Sequence, residues 1–396
     1  MNIKKAAINV IKVVVTVGIL YLIFKKFQIG MSDITTALKT SNPLWWVASL
    51  GTQAAAIFFS IMRWRVLLTP QQLNVPGGHL TKTYLVGRFL GTFTPTGVGL
   101  EAYKAYDIAR FTKKATESVS VVVVEKFLTI LALSLMVFCS LFAISMPKLW
   151  LVAFFGLFGF LLLITSTLVV KPNLLLLILK FPLPAKGKIE GVINNAVEAF
   201  NRYRANKGAL FASVFFGILV YASLFSTFYT NGQALNLPNG PEGRLAAVQL
   251  TDELRTELDT MHIETIDQED GLSQLFLTAD EESKLTAAGV QLLPAASEED
   301  YRRKGLSFVD TMTAGPMTQI VTMVPLSIAG VGLRETAFAG FLRTLGVWIG
   351  PKTILAATMW YFVSISLNIV GAIIFLTRKT DYQASREEID RVLKGE

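Results

Sequence analysis

The chain has 396 residues, 52% of them hydrophobic and 17% charged. Soluble domains carry about 25% charged residues, so this composition points away from a soluble enzyme; it also excludes a disordered, collagenous or disulfide-stapled chain, since Cys139 is the only cysteine. The net charge of +8 suits nucleic acid or an anionic membrane surface, the single cysteine and two histidines (His79, His262) leave no clustered metal site, and hydropathy decides for the membrane.

A helix needs about 20 mainly apolar residues to cross a bilayer. The first such run joins 6–11 to 13–24 across a snorkelling Lys12. It lacks a small-residue cleavage site and is followed directly by Lys25-Lys26, which argues against a cleavable signal peptide. The second run is 40–62, ending in MRWR, whose Arg63 and Arg65 read as interfacial anchors. Next comes a short odd segment, 88–101 (RFLGTFTPTGVGLE), whose charge-free core holds Pro95 and three glycines. Runs 127–147 and 149–170 follow, flanked by Lys126, Lys148 and Lys171; Cys139 lies in the first of them and reads as an inert buried thiol. Residues 187–207 place Ile189, Val192, Ile193, Ala196, Val197 and Phe200 at helical spacing between basic ends, which suits an interfacial amphipathic helix or a cytoplasmic connector. The fifth run is 208–232. Residues 238–304 then carry 15 acids and 6 bases, a net of −9, leaving +17 for the rest. This stretch predicts a small α/β module: a helix over 251–261, a capping box at Thr278-Ala-Asp-Glu281 opening a helix that Gly289 ends, and a strand at VQLLP. Its charge leaves disorder open as the alternative. An EF-hand at DQEDG fails, because aligning Gly271 as the turn glycine puts Ile266 at the first ligand position, and His262 reads as a surface histidine. A second odd segment, 311–333, is long enough to cross but is interrupted at Gly315-Pro316, Pro325, Gly330 and Gly332. The sixth run is 353–377, and a charged tail closes the chain.

Proline removes a backbone donor and glycine weakens a helix, so both odd segments should be broken. Broken backbone at membrane depth needs protein or a water-filled cavity to cover it, so each reads as a re-entrant helical hairpin. They also echo each other: Pro95-Thr-Gly97-Val-Gly99-Leu-Glu101 against Pro325 and Gly330-Val-Gly332-Leu-Arg334-Glu335. With the N-terminus inside, the inside segments carry 23 lysines and arginines and the short outside segments 7, which orients both termini to the cytoplasm. The two hairpins then enter from opposite faces, the pattern of an inverted-repeat transporter, though a GVGL-type match also arises by chance in a Gly-rich apolar chain. Charge inside the membrane is costly and tends to mark cavities and pairs, which singles out Arg88, Glu101, Lys104, Glu125, Lys126, Arg334 and Glu335. Arginine forks, lysine point charges and glycine-opened N–H groups suit an anionic headgroup such as a phosphate. Structural ion pairing is the plainer reading of the same residues.

MRWRVLL, RFLGTFTPTGVGLEAYKAYDIAR, the start of the third span at 118–125 and VPLSIAGVGLRE, in that order, resemble the transmembrane region of lysylphosphatidylglycerol synthetases, the flippase-like domain family. The resemblance covers most of residues 1–380 outside 232–306. It implies a multi-pass inner-membrane protein linked to lipid translocation. The best-known members add a soluble C-terminal synthetase; the short stretch after Arg378 leaves no room for one, so aminoacyl transfer is not carried over. The family's first motif falls on Gly97, Gly99, Glu101 and Lys104, and its second on Pro325, Gly330, Gly332, Arg334 and Glu335.

The expectation is an all-α polytopic membrane protein of about six spans plus two re-entrant hairpins in an inverted repeat, with a small soluble α/β insert. Residues 1–231 form the first membrane half (re-entrant at 80–101), 232–306 the extracytoplasmic acidic insert, 307–380 the second membrane part (re-entrant at 307–349) and 381–396 a cytoplasmic tail. The expected function is translocation of an anionic lipid or lipid-linked headgroup across the inner membrane. The alternatives are a membrane-embedded lipid-phosphate transferase or accessory subunit, and a scaffold working through the insert. No catalytic constellation, cofactor, metal or nucleic-acid partner is expected. A protein partner for 238–304 and a homo-oligomer stay open. The substrate-binding residues are Arg88, Pro95, Gly97, Gly99, Glu101, Lys104, Glu125, Pro325, Gly330, Gly332, Arg334 and Glu335.

Overall fold

The computed structural model describes residues 31–92, 94, 98–142, 148–171, 173, 176, 194, 197–198, 200–203, 206–237, 242–261, 263, 265–267, 272–294, 303–323, 332–347 and 349–377. The first predicted span, the tail 381–396 and His262 lie outside them. Helices dominate: α1 (Met31–Lys39), α2 (Pro43–Leu68), α3 (Gly77–Thr92), α4 (Val98–Thr112), α5 (Ala115–Ser140), α6 (Lys148–Val170) and α7 (Lys207–Ala234) precede the insert. The insert holds β1 (Glu242–Val248), α8 (Asp252–Thr260), β2 (Thr265–Asp267), β3 (Ser273–Leu277), α9 (Ala279–Ala287), β4 (Leu293–Pro294) and β5 (Arg303–Lys304), and α10 (Phe308–Thr322), α11 (Leu333–Thr344) and α12 (Pro351–Thr377) complete the chain.

Four helical segments, Pro43–Gln71, Ala115–Ser140, Lys207–Ala234 and Pro351–Thr377, are long and apolar enough to cross a membrane. They match four of the six expected spans, and α6 is a further helix of 23 residues over the expected 149–170. Their outer faces carry Val47 and Phe58 on α2, Phe211 and Phe215 on α7, and Phe362, Ile369 and Ile373 on α12, all exposed. Apolar surface of that extent suits lipid and not water. One boundary and one burial differ from expectation. The helix expected at 127–147 begins at Ala115, so Glu125 and Lys126 sit in mid-helix and not at its edge. Cys139 is exposed on that helix, not buried as expected.

The chain divides into two compact units. In the first (Met1–Ala54, Met136–Phe155, Tyr221–Ser364), small hydroxyls join α2 to α7: Ser49 Oγ donates to Thr230 Oγ1 at 2.8 Å, and Thr52 and Thr227 hydroxyls meet at 2.9 Å. Small polar residues allow close helix approach and supply hydrogen bonds where water is absent. The insert belongs to this unit. Its sheet runs β2-β3-β1-β4, all antiparallel, with β5 pairing the start of β1. Ala246, Val248, Leu258, Leu275, Leu277 and Leu285 form its core. The capping box is present: the Thr278 hydroxyl accepts from Glu281 N–H at 3.4 Å, and Glu281 Oε2 accepts from Thr278 N–H at 2.7 Å. Gly289, at φ +83°, follows the end of that helix as expected, and Leu293–Pro294 forms the expected strand. A packed sheet of this kind is order, not the disordered alternative.

The second unit (Ala55–Leu135, Gly156–Val220, Ile365–Glu396) is built on a core that includes Trp64, Leu67, Tyr84, Ile108, Val124 and Phe200. Val197, Phe200 and Tyr203, from the expected amphipathic segment, are buried in this core. Tyr203 O–H donates to the Leu67 carbonyl at 2.5 Å, and burial pushes that hydroxyl's pKa up. Of the expected apolar face, Val197 and Phe200 are thus covered by protein; the other four residues lie outside the described ones.

Candidate functional site

Both odd segments are helical hairpins. In the second unit α3 packs along α4, and in the first unit α10 packs along α11. The break in the first hairpin falls where the proline and glycines predict it, between Thr92 and Val98. Thr94 tends the gap: its hydroxyl donates to the Gly91 carbonyl at 3.0 Å and accepts the Gly99 N–H at 2.9 Å. The second hairpin departs from expectation. Its first helix is not interrupted at Gly315-Pro316 but runs through both to Thr322. The reason is packing: a Cβ on Gly315 would lie 2.4 Å from Phe225 Cγ, so the bare backbone seats that ring and the contact outweighs the missing proline N–H. A capping box starts the helix, with Ser307 N–H donating to Asp310 Oδ2 at 3.0 Å and Asp310 N–H to Ser307 Oγ at 3.2 Å. Pro95, Gly97, Pro325 and Gly330 lie outside the described residues.

The first hairpin carries a chain of five charges. Arg63 Nη2 donates to Glu125 Oε1 at 2.7 Å, and Lys104 Nζ to Glu125 Oε2 at 2.5 Å. Lys104 Nζ also reaches Glu101 Oε2 at 3.2 Å, and Lys126 Nζ lies 2.9 Å from Glu101 Oε1. The Lys104 side chain is 1% exposed and Glu125 2%, against 54% for Lys126, so the chain runs from fully buried to open. Lys104 also stands over the Trp64 ring, 4.9 Å from its centroid. Three cations against two carboxylates leave one excess positive charge, the sign an anionic headgroup needs. Arg63 is 8% exposed inside this chain. It is a buried partner of Glu125 and not the expected interfacial anchor, because α5 begins early enough to bring Glu125 opposite α2. Arg88 stands apart, with Nε donating to Asn368 Oδ1 at 2.7 Å while Asn368 Nδ2 donates to Thr92 Oγ1 at 2.9 Å. These bonds tie α3 to α12. At that crossing a Cβ on Gly371 would fall 2.1 Å from the Leu85 carbonyl oxygen, so only glycine fits.

The second hairpin presents Arg334 and Glu335 at the start of α11, both buried. Gly332, at φ +81°, opens the helix, and its N–H donates to Glu335 Oε2 at 2.7 Å. The Arg334 guanidinium lies 3.9 Å from the Trp360 ring centroid and 4.7 Å from that of Tyr361. Aromatic faces attract a planar cation strongly where water is excluded. Phe228 stacks on Phe338 at 4.3 Å and on Trp360 at 6.3 Å, closing the apolar side. The cleft beside Arg334, lined by Leu224, Phe225, Phe228, Gly315, Thr318, Gln319 and Trp360, has no room for a water molecule.

Several participants escape sequence reading. Arg63, Asn368, Trp360 and Tyr361 join the candidate groups only through tertiary contact. A further constellation sits at the hairpin's first turn: His79 Nε2 lies 2.8 Å from Asp107 Oδ2, and the Thr83 hydroxyl donates to the same oxygen. The i, i+4 spacing of His79 and Thr83 puts both on one face, but nothing local points that face at Asp107. Among the described residues no group of three or more His, Cys, Asp or Glu could hold a metal ion.

No curated protein and no solved structure matches the chain. A family model described as the lysylphosphatidylglycerol synthase TM region does. The match takes in MRWRVLL and the whole first hairpin but stops short of VPLSIAGVGLRE and the second. It spans residues 9–249, more than half of the 396, and the chain therefore belongs to the lysylphosphatidylglycerol synthase transmembrane-region family.

Proposed function

We propose that the protein translocates an anionic lipid, or a lipid-linked headgroup, across the inner membrane. In this reading both hairpins are re-entrant, the two membrane parts form an inverted repeat, and both termini face the cytoplasm. Arg334 of the second hairpin receives the phosphate while the acyl chains stay in lipid, and the acidic insert offers its surface to a basic partner outside.

The observation that carries this is the placement of Arg334. A guanidinium buried in an apolar helical unit costs several kcal/mol to desolvate unless something repays it. Here its central carbon lies 3.9 and 4.7 Å from the centroids of two aromatic rings, whose attraction offsets part of that cost. An arginine fork binds phosphate in bidentate fashion, which lysine cannot reproduce. Transfer of headgroup-labelled anionic lipid between leaflets of proteoliposomes tests the reading. The wild type should accelerate transfer, Arg334→Ala should reduce it at least about tenfold and Arg334→Lys should recover only part, given bidentate recognition. A wild type that moves no anionic lipid, or an Arg334→Ala variant that is folded and fully active, overturns it.

A further inference from the structure

We propose that Glu335 is a proton-binding site whose loading accompanies the headgroup, so that translocation is coupled to a proton gradient; the coupling rests on the translocation reading above, the proton site does not. The acids of the helical hairpins and α5 are distinguished by how their oxygens are spent. Both oxygens of Glu125 are engaged, by Arg63 and Lys104, and both oxygens of Glu101, by Lys104 and Lys126. Asp107 is committed to His79 and Thr83, and Asp310 caps α10. A proton on any oxygen so engaged must displace an existing bond. Glu335 differs. It is fully buried, Oε2 accepts the Gly332 N–H, and Oε1 has no hydrogen-bond partner among the described residues. By that geometry a proton arriving at Oε1 displaces no hydrogen bond, and it removes a negative charge from a buried site.

The neighbours suit the loaded form. The Thr358 hydroxyl faces Glu335 and already donates to the Ile354 carbonyl at 3.1 Å. With its proton on that carbonyl, the hydroxyl is left as an acceptor for a carboxylic acid at Glu335; rotated, it donates to the carboxylate instead. The charged and titratable groups facing Glu335 are Arg334 on its own helix and Tyr361 on α12. Arg334 is the cation that favours the ionised form of Glu335 against its burial. A phosphate that neutralises Arg334 withdraws that support, and Glu335 then takes its proton. Linkage is reciprocal, so proton and anion favour each other's binding and travel in the same direction.

Two measurements on the full chain test this. In nanodiscs, infrared difference spectra across about pH 5 to 9, the range that brackets a perturbed carboxyl, should show a protonated-carboxyl band in the wild type. Glu335→Gln should lack it while keeping the Gly332 cap through its amide oxygen. Thr358→Val, which leaves Glu335 in place and removes the acceptor, should shift the band. Absence of any band sensitive to both substitutions overturns the site, whether or not the protein moves lipid. In proteoliposomes, an inward proton gradient should speed inward transfer of anionic lipid by at least about fivefold, the lower end of typical site–site coupling, and Glu335→Gln should abolish that dependence. Wild-type transfer indifferent to the gradient overturns the coupling and leaves translocation standing. If no lipid moves at all, translocation falls and the infrared result alone decides the proton site.

Discussion

Glu125 is the residue on which the first hairpin's charges converge. Removing one member of a buried ion pair strands the other, and such losses cost about 3–5 kcal/mol, whereas exposed pairs contribute about 1 kcal/mol or less. Glu125→Ala, which takes the shared carboxylate from Arg63 and Lys104, should therefore lower the thermal unfolding temperature in detergent sharply. Lys126→Ala, at a side chain 54% exposed, should barely move it. Comparable shifts for the two variants would show that the network is solvated and not buried. At this scale the sequence was informative about residue type and poor on partnership. A charge inside an apolar run announces itself, so Lys104, Glu125, Arg334 and Glu335 could be picked out one by one. Arg63 was misread because its partner lies 62 positions away, and the alternation of basic and aromatic residues in MRWR looks the same at a membrane surface as in a core.

Hairpins are the elements that distinguish this chain from a plain bundle. Proline and glycine made the end of α3 at Thr92 and the start of α4 at Val98 legible. The same residue types at Gly315-Pro316 gave the opposite outcome, since the Phe225 ring fills the groove that Gly315 leaves. Local propensity decides only where no neighbour outbids it. The crossing of α3 and α12 is more demanding still. Gly371→Ala places a methyl 2.1 Å from the Leu85 carbonyl oxygen, so the two backbones must separate and stretch the Arg88–Asn368 bond. Overpacking of that kind costs about 1–3 kcal/mol. Unfolding of Gly371→Ala at the wild-type temperature would show that the crossing is looser than this.

For the whole molecule, the insert is the part that water alone can hold. Of its elements, α8 was legible from its helix-like run, α9 from a capping box and a terminating glycine, and β4 from VQLLP. Its pairing order was not, since β4 and β5 are two residues each and gain their place only against β1. Leu275 lies fully buried at the centre of that core. Leu275→Ala should remove about 2–5 kcal/mol from it, and limited proteolysis should then cut within 242–294 while the apolar helices stay protected. Cleavage elsewhere in the chain instead would mean that the module does not melt on its own. Cys139, finally, turns the native chain into a labelled one. The only thiol in 396 residues is accessible and sits on the outer flank of a transmembrane-length helix. A spin probe or fluorophore attached there reports on the oily boundary layer from a single known position, with no background sulfhydryl to engineer away.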